Sequence, residues 1–179
     1  AEIDCARFIC DSGAVSARVY PTVVFYDTEL CQMSRKGSYQ PLSIEEAVMR
    51  TKDVLAVFAE HNIPCIRVGL CAGENLSSPE AVFAGPNHSA VGELAMSALF
   101  YDILCQKLDE LKIDTADCIL TVYAPRGATS KIIGHKGINK SRIKEKYPIK
   151  KMIVIEKNEI LGYNIKIELH RTGGEHPCI

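Results

Sequence analysis

Two glycines, Gly134 and Gly137, enclose a histidine and a lysine, and an isoleucine pair precedes them. Glycines three residues apart let the backbone turn tightly without Cβ collisions, so another polymer can approach the peptide groups closely. A helix that begins at such a loop directs N–H groups and its positive dipole end toward the ligand. The pattern predicts that Gly134, His135, Lys136 and Gly137 contact a phosphate-bearing backbone.

The positive charge of the chain is concentrated around this loop. The formal net charge over 179 residues is −1, yet residues 126–151 hold nine Lys and Arg against one acid, Glu145. The rest of the chain holds twelve basic and twenty-one acidic residues. This asymmetry indicates an acidic protein with one basic working surface. We expect further basic side chains to continue this contact along the sugar-phosphate backbone, as a phosphate track formed by Lys131, Lys140, Arg142 and Lys144. A solvated basic face without a ligand is the alternative.

The elements predicted around the loop run strand, helix, helix, strand, strand. They are Cys118–Ala124, residues 128–133, residues 138–146, Lys151–Glu156 and residues 163–169. With Gly-x-x-Gly between the two helices, this segment resembles the KH family, which implies an RNA-binding module with bases against Ile132, Ile133 and Ile143. Lys140 stands where the KH pattern has an apolar residue. A rotated second helix, or a module that no longer binds RNA, therefore stays open.

The preceding part of the chain predicts a β-α-β unit. Residues 16–26 are rich in β-branched and aromatic side chains, which predicts a strand buried on both faces with a bulge or edge at Pro21. A polar connection with a helical turn follows, and the capping box at Ser43 begins a helix that ends near Asn62. Cys65–Leu70 is the second strand, parallel to the first. A long loop, residues 71–87, and a helix over residues 90–111 complete this part.

Three motifs in residues 16–96 resemble radical-SAM enzymes close to the Elongator catalytic subunit. The first is the strand Arg-Val-Tyr-Pro-Thr, which begins at Arg18. The second begins at Thr28 and ends with Gly-Ser-Tyr-Gln-Pro-Leu-Ser. The third is a pair of short elements, Arg-Val-Gly-Leu beginning at Arg67 and Ala-Gly-Pro-Asn-His ending at His88. The resemblance implies the last strands of a partial (β/α) barrel and the extension that closes it.

The chemistry implied by this resemblance is reductive cleavage of S-adenosylmethionine by a [4Fe-4S] cluster. In the Elongator subunit the product is a modified wobble uridine in tRNA. The cluster is held by a Cys-x-x-x-Cys-x-x-Cys motif, which these 179 residues do not contain. The chain is therefore expected to be the C-terminal half of a longer protein, with no cofactor or metal of its own and no catalytic activity alone.

Four residues of the first part are candidate contacts to a substrate or cofactor: Arg18, Tyr20, Arg67 and His88. An arginine buried in an apolar strand needs an anionic ligand or an internal partner such as Glu93. Tyr20 is also compatible with a core position. His88 suits proton transfer, but a hydrogen bond that fixes the loop or the start of the following helix is the alternative. No catalytic residue is assigned.

The cysteines and the hydropathy indicate the cellular compartment in which the protein is expected to fold. Eight cysteines occur singly and none forms a Cys-x-x-Cys pair, so buried free thiols in a reducing cytoplasm are expected rather than a metal site. No apolar run is long enough to span a bilayer, and no signal peptide is visible at the start. The expected localisation is cytoplasmic.

These observations predict an α/β fold in two parts. Residues 1–112 are the end of a partial radical-SAM barrel with its closing extension, and residues 113–179 are a small α+β KH-like domain. The expected function is RNA modification, with tRNA as the RNA and the missing N-terminal part of the protein as partner. Two alternatives stay open: a radical-SAM enzyme for a small molecule, whose basic face docks a protein, and a non-enzymatic RNA-binding adaptor. The sequence does not give the oligomeric state.

Overall fold

The computed structural model describes residues 1–70 and 80–171. The chain divides into two compact units, Ala1–Ala95 and Met96–Ile179. The division falls inside a long helix, whose first residues belong to the first unit and whose remainder belongs to the second. The boundary predicted after residue 112 lies at the end of the same helix, and as a division between functional domains it stays a prediction.

The first unit alternates helices with short strands. Along the chain these are α1 (Glu2–Asp11), β1 (Ala17–Val19), β2 (Val24–Phe25), α2 (Glu29–Arg35), α3 (Ile44–Glu60), β3 (Cys65–Val68), β4 (Val82–Ala84) and the start of α4 (Val91–Leu111). β1 and β3 pair in parallel, whereas β2 and β4 pair antiparallel. The parallel pair joined through α3 confirms the predicted β-α-β unit.

Helix α3 shows why the local prediction succeeds. The Ser43 hydroxyl accepts from the Glu46 N–H at 3.1 Å, and the Glu46 carboxylate accepts from the Ser43 N–H at 2.8 Å. This reciprocal cap satisfies two N–H groups that the first turn leaves without partners. Leu55 and Phe58 on one helix face are buried in the core. Pro64 follows the helix and cannot continue it.

The predicted strand over residues 16–26 is two strands. β1 ends at Val19 and β2 begins at Val24, because Pro21 lies between them and has no N–H to donate to a sheet. The expected burial on both faces is wrong, since Arg18 and Tyr20 are exposed. β4 lies inside the segment predicted as a loop over residues 71–87; residues 71–79 of that segment lie outside the described residues.

The second unit has the predicted order of elements. After the rest of α4 come β5 (Cys118–Ala124), α5 (Thr129–Ile133), a short 3-10 turn (His135–Gly137), α6 (Ile138–Lys146), β6 (Lys151–Glu156) and β7 (Lys166–Arg171). β5 is the central strand of a three-stranded sheet; it pairs in parallel with β6 and antiparallel with β7. Because β5 and β6 are parallel, α5 and α6 form the crossover between them.

One face of this sheet forms the core of the second unit. Leu120 and Val122 alternate along β5 and are fully buried, as period-two burial of one sheet face requires. Met152 of β6 and Leu169 of β7 join them. The helices, together with Tyr147 just after α6, contribute further buried side chains, which include Phe100, Leu104, Leu108, Ile132 and Ile143. Burial of this apolar surface fixes the positions of α5 and α6, and hence of the loop between them.

The described residues thus form a mixed α/β structure with small sheets, as the sequence predicts at the level of fold class. Within them, no helix is both long and apolar enough to cross a membrane. Cys31, Cys65 and Cys118 are buried as expected and lie outside any disulfide, whereas Cys5 is exposed. Cys71 and Cys178 lie outside the described residues.

Candidate nucleic-acid interface

The loop between α5 and α6 has a backbone that ordinary residues rarely adopt. Gly134 has φ 80° and ψ 161°, and Gly137 has φ 80° and ψ 15°. Lys136 also has a positive φ, 51°. Three of the four loop residues therefore lie in regions that glycine tolerates best. His135 and Lys136 are exposed, so the middle of the bend lies on the surface, whereas Gly134 is buried.

The two glycines serve different purposes. A Cβ on Gly134 would lie 2.9 Å from the Asn139 nitrogen and 2.9 Å from Cγ2 of Ile138, distances that real Cβ atoms do not show. A Cβ on Gly137 would have nothing within 4 Å. Gly134 is thus required for packing inside the module. Gly137 leaves an open surface of bare backbone that a ligand can approach.

Asn139 fixes the loop from beneath, and it was missed as a site residue from the sequence. Its side chain is 2% exposed, and Nδ2 donates to the Ser97 carbonyl at 2.8 Å and to the Ser97 hydroxyl at 3.0 Å. The same amide lies 3.3 Å from the Ile132 carbonyl near the end of α5. It therefore joins α4, α5 and α6 around the loop. The sequence feature that could have indicated its burial is its position four residues before Ile143, on the same helix face.

The first turn of α6 has no side-chain cap. Gly137 occupies the N-cap position and provides no side-chain hydrogen bond. The start of α5 differs, because the Thr129 hydroxyl donates to Glu156 at 2.7 Å and the Thr129 N–H donates to the same oxygen at 3.3 Å. The Gly127 N–H, followed by Thr129, holds the pKa of Glu156 below its usual value. A carboxylate thus occupies the start of α5, whereas the start of α6 faces the exposed loop.

The basic side chains of the loop and α6 lie in two rows. Lys140 and Lys144 are four residues apart and therefore share one side of α6, and Lys136 precedes them in the loop with a non-helical backbone. We call these three residues the lysine row. None of the three forms an ion pair with any residue that the structure describes. Lys136 and Lys144 are exposed and Lys140 is half-buried, as is Lys131 on α5. This row is the available part of the predicted phosphate track.

The second row of α6 is engaged by its own unit. The Arg142 guanidinium lies over the Tyr101 ring at 3.8 Å, and Lys146 pairs with Asp109 at 3.2 Å. The Tyr147 hydroxyl donates to Asp109 at 2.6 Å. That hydroxyl, followed by Lys146, lowers the pKa of Asp109. Arg142, predicted to contact RNA, thus has a packing contact on α4.

The apolar contacts expected for bases are only partly available. Ile132 and Ile143 are fully buried in the core, so the expectation that they face a bound base is wrong. Ile133 is half-buried, and Ile138 is 56% exposed at the first position of α6. Since Ile138 directly follows Gly137, it is the apolar side chain next to the open part of the loop.

The candidates of the first unit lie on its surface. Arg18 and Arg67 are exposed, so the expected burial of both is wrong, and no ion pair joins Arg18 to Glu93 in the described ranges. Tyr20 is 48% exposed and is not a core residue. His88 accepts at Nδ1 from the Ala90 N–H at 3.1 Å, which is the helix-start contact considered from the sequence. Its carbonyl also accepts from the Val91 N–H at 3.2 Å.

The comparison with known families concerns the first unit. Residues 15–99 match the Radical_SAM C-terminal domain. The matched segment runs from just before β1 into α4, and it supports a radical-SAM-related C-terminal part. No curated protein and no solved structure matches the chain.

A radical-SAM domain implies an iron–sulphur cluster and S-adenosylmethionine for the protein to which it belongs. Among residues 1–70 and 80–171, no group of three or more His, Cys, Asp or Glu side chains could hold a metal ion. Cys31, Cys65 and Cys118 are buried in the folded units. The described residues therefore do not fit a cluster, and no step of a reaction is assigned to them.

Proposed function

We propose that this chain is the C-terminal part of a radical-SAM protein related to the Elongator catalytic subunit, and that its second unit is a KH-like module that binds RNA. The expected RNA is tRNA, presented to a reactive centre in the N-terminal part of the same protein. The single observation that supports RNA binding is the loop between α5 and α6, which combines exposed His135 and Lys136, the open Gly137 and the row of three lysines.

The contacts of the loop suit a sugar-phosphate chain. Phosphate oxygens would approach the bare backbone at Gly137 and the start of α6, where the helix dipole is positive. The N–H groups of Gly137 and Ile138 already donate to the Gly134 and His135 carbonyls, so the attraction there comes from the dipole and the lysines. Lys136, Lys140 and Lys144 would follow the phosphates along the helix, and Ile138 would contact a base or sugar. Much of the binding free energy would then come from charge, so the affinity should fall as salt rises.

The support for the enzymatic part is the match over residues 15–99 and the motifs that begin at Arg18 and Arg67. We expect the reading frame upstream of Ala1 to encode a Cys-x-x-x-Cys-x-x-Cys motif. Sequencing that frame tests the proposal. A frame that starts at Ala1, or that lacks the three cysteines, would overturn the enzymatic part and leave the RNA-binding adaptor.

Charge at position 137 tests RNA binding without disturbing the fold. Asparagine and aspartate both tolerate a left-handed backbone, and a Cβ here meets no atom within 4 Å. We expect Gly137→Asp to weaken tRNA binding about tenfold or more relative to Gly137→Asn, because a charge-assisted hydrogen bond contributes about 1.5–3 kcal/mol. Fluorescence anisotropy with labelled tRNA at two salt concentrations measures the difference.

A comparison of two double variants tests whether the RNA backbone follows the lysine row. Glutamates at Lys140 and Lys144 should lower the affinity and make it less dependent on salt. Lys150→Glu and Lys151→Glu, which lie just before β6 and at its first residue, change the net charge equally and should have a much smaller effect. Equal binding by the two Gly137 variants, or equal losses for the two lysine pairs, would contradict the KH-like interface.

A further inference from the structure

We propose that Arg18 and Arg67 form a binding site on the first unit for an oxyanion, the phosphate or carboxylate group of a small molecule. The site is separate from the RNA-binding loop and does not depend on it. Its basis is the pairing of β1 with β3, in which Arg18 and Arg67 are register partners.

Register partners in a sheet have side chains on the same face, and neighbouring strands lie about 4.8 Å apart. Both arginines are exposed, whereas the register partners Ala17 and Cys65 are buried. The two side chains therefore leave the parallel pair side by side on its exposed face, from where both guanidinium groups can reach one anion. Two planar guanidinium groups at this spacing can each direct a fork of N–H donors to one anion.

An irregularity in the pairing produces this arrangement. The register shifts between Ala17, which faces Cys65, and Arg18, which faces Arg67. Ile66 is the extra residue, and it is 58% exposed. Without the shift, Arg18 would face Ile66 instead. Bulges are rare between parallel strands and are frequent beside functional sites, where they redirect a side chain.

Like charges directly opposite each other on a sheet face destabilise it. A bound anion would lower the repulsion between the two guanidinium groups, whatever other contact each arginine makes. Arg67 also has a further interaction of its own. The proposed site therefore depends on the side-by-side placement of the two arginines and not on the absence of other contacts.

A cavity lies directly beyond the ends of both strands. Pro21, Gly69, Leu70, Asn87 and His88 line it. Ligands of parallel sheets bind at the carboxyl ends of the strands, which is the end where this cavity lies. Arg18 and Arg67 are not among the described residues that line this cavity. A molecule whose anionic group they hold would reach it only by extending past the ends of the two strands.

Isothermal titration of the whole chain with pyrophosphate and with citrate, at constant ionic strength, tests the site and separates phosphate from carboxylate ligands. We expect saturable binding of at least one anion, and at least a tenfold weaker association after Arg18→Gln or Arg67→Gln. Arg18→Lys should also bind more weakly, because lysine keeps the charge but lacks the planar fork.

Two controls make the result decisive. Arg7→Gln removes the same charge from an exposed position on α1 and should change the affinity less than twofold. Gly137→Asp should also leave it unchanged, since an anion held at the RNA-binding loop would respond to that variant instead. Absence of saturable binding, or equal losses for Arg7→Gln and Arg18→Gln, overturns the proposal. The RNA-binding result stands or fails separately, through the Gly137 and lysine variants.

Discussion

Replacing Gly134 with alanine should destabilise the second unit by about 3 kcal/mol. Alanine at φ 80° and ψ 161° enters a backbone region that is essentially confined to glycine, which costs about 1–3 kcal/mol. The new methyl group would also lie 2.9 Å from the Asn139 nitrogen, and overpacking of this kind costs about 1–3 kcal/mol more. Hydrogen exchange of the β5 amides in the whole chain reports the free energy of unfolding of this unit.

Gly137→Ala is the matched control, because it lies in the same loop at the same φ of 80°. Its methyl group meets no atom within 4 Å, so only the left-handed backbone costs free energy, about 1–2 kcal/mol. We therefore expect the Gly134 variant to be clearly less stable than the Gly137 variant. Equal destabilisation by the two substitutions would show that Gly134 is not closely packed.

This difference between the glycines decides how RNA binding can be measured. A charged substitution at Gly134 would lower the affinity by distorting the module, whether or not the loop binds phosphates. At Gly137 the side chain faces open space, so a charge there acts on the ligand. The sequence shows two equivalent glycines, and only the surrounding atoms distinguish them.

Local patterns predicted most of the second unit. β5, α6 and β6 have the predicted bounds, because each combines a clear period with a marked end: Pro125 after β5, Gly137 before α6 and Pro148 after it. In the first unit the capping box at Ser43 defined α3 for the same reason. Such signals lie within a few residues of the element that they specify, and therefore a single sequence contains them.

The misses concern contacts between distant parts of the chain. β4 is three residues long and is defined by its pairing with β2, about sixty positions earlier, so no local period marks it. The apolar side chains Ile132, Ile138 and Ile143 have similar propensities, yet the sheet buries two and leaves Ile138 exposed. The exposure of Arg18 depends likewise on its partner strand. The sequence predicted that the lysine row is a cluster of positive charge. It could not predict that Arg142 packs on the Tyr101 ring, because that contact depends on where α4 lies.

Asn139→Ala should destabilise the second unit by about 2–3 kcal/mol. The substitution removes the amide that donates to the Ser97 carbonyl at 2.8 Å and lies near the Ile132 carbonyl at 3.3 Å. A buried acceptor left without its donor costs about 1–3 kcal/mol, and the last carbonyls of α5 have no other donor within the helix. Urea unfolding followed by circular dichroism, with exchange of the β5 amides, measures the loss.

Two further variants separate the hydrogen bonds of Asn139 from the size of its side chain. Asn164→Ala removes an exposed amide that donates to Leu161 at 3.0 Å, and it should change stability by less than about 0.5 kcal/mol. Asn139→Asp keeps the shape but replaces the donors by a buried carboxyl, whose pKa in the folded protein should exceed its unfolded value. Its stability should therefore be highest below the unfolded pKa and fall as the pH rises through the folded one. Unchanged stability of Asn139→Ala, or an Asn139→Asp variant insensitive to pH, would mean that the amide does not hold the three helices together at the loop.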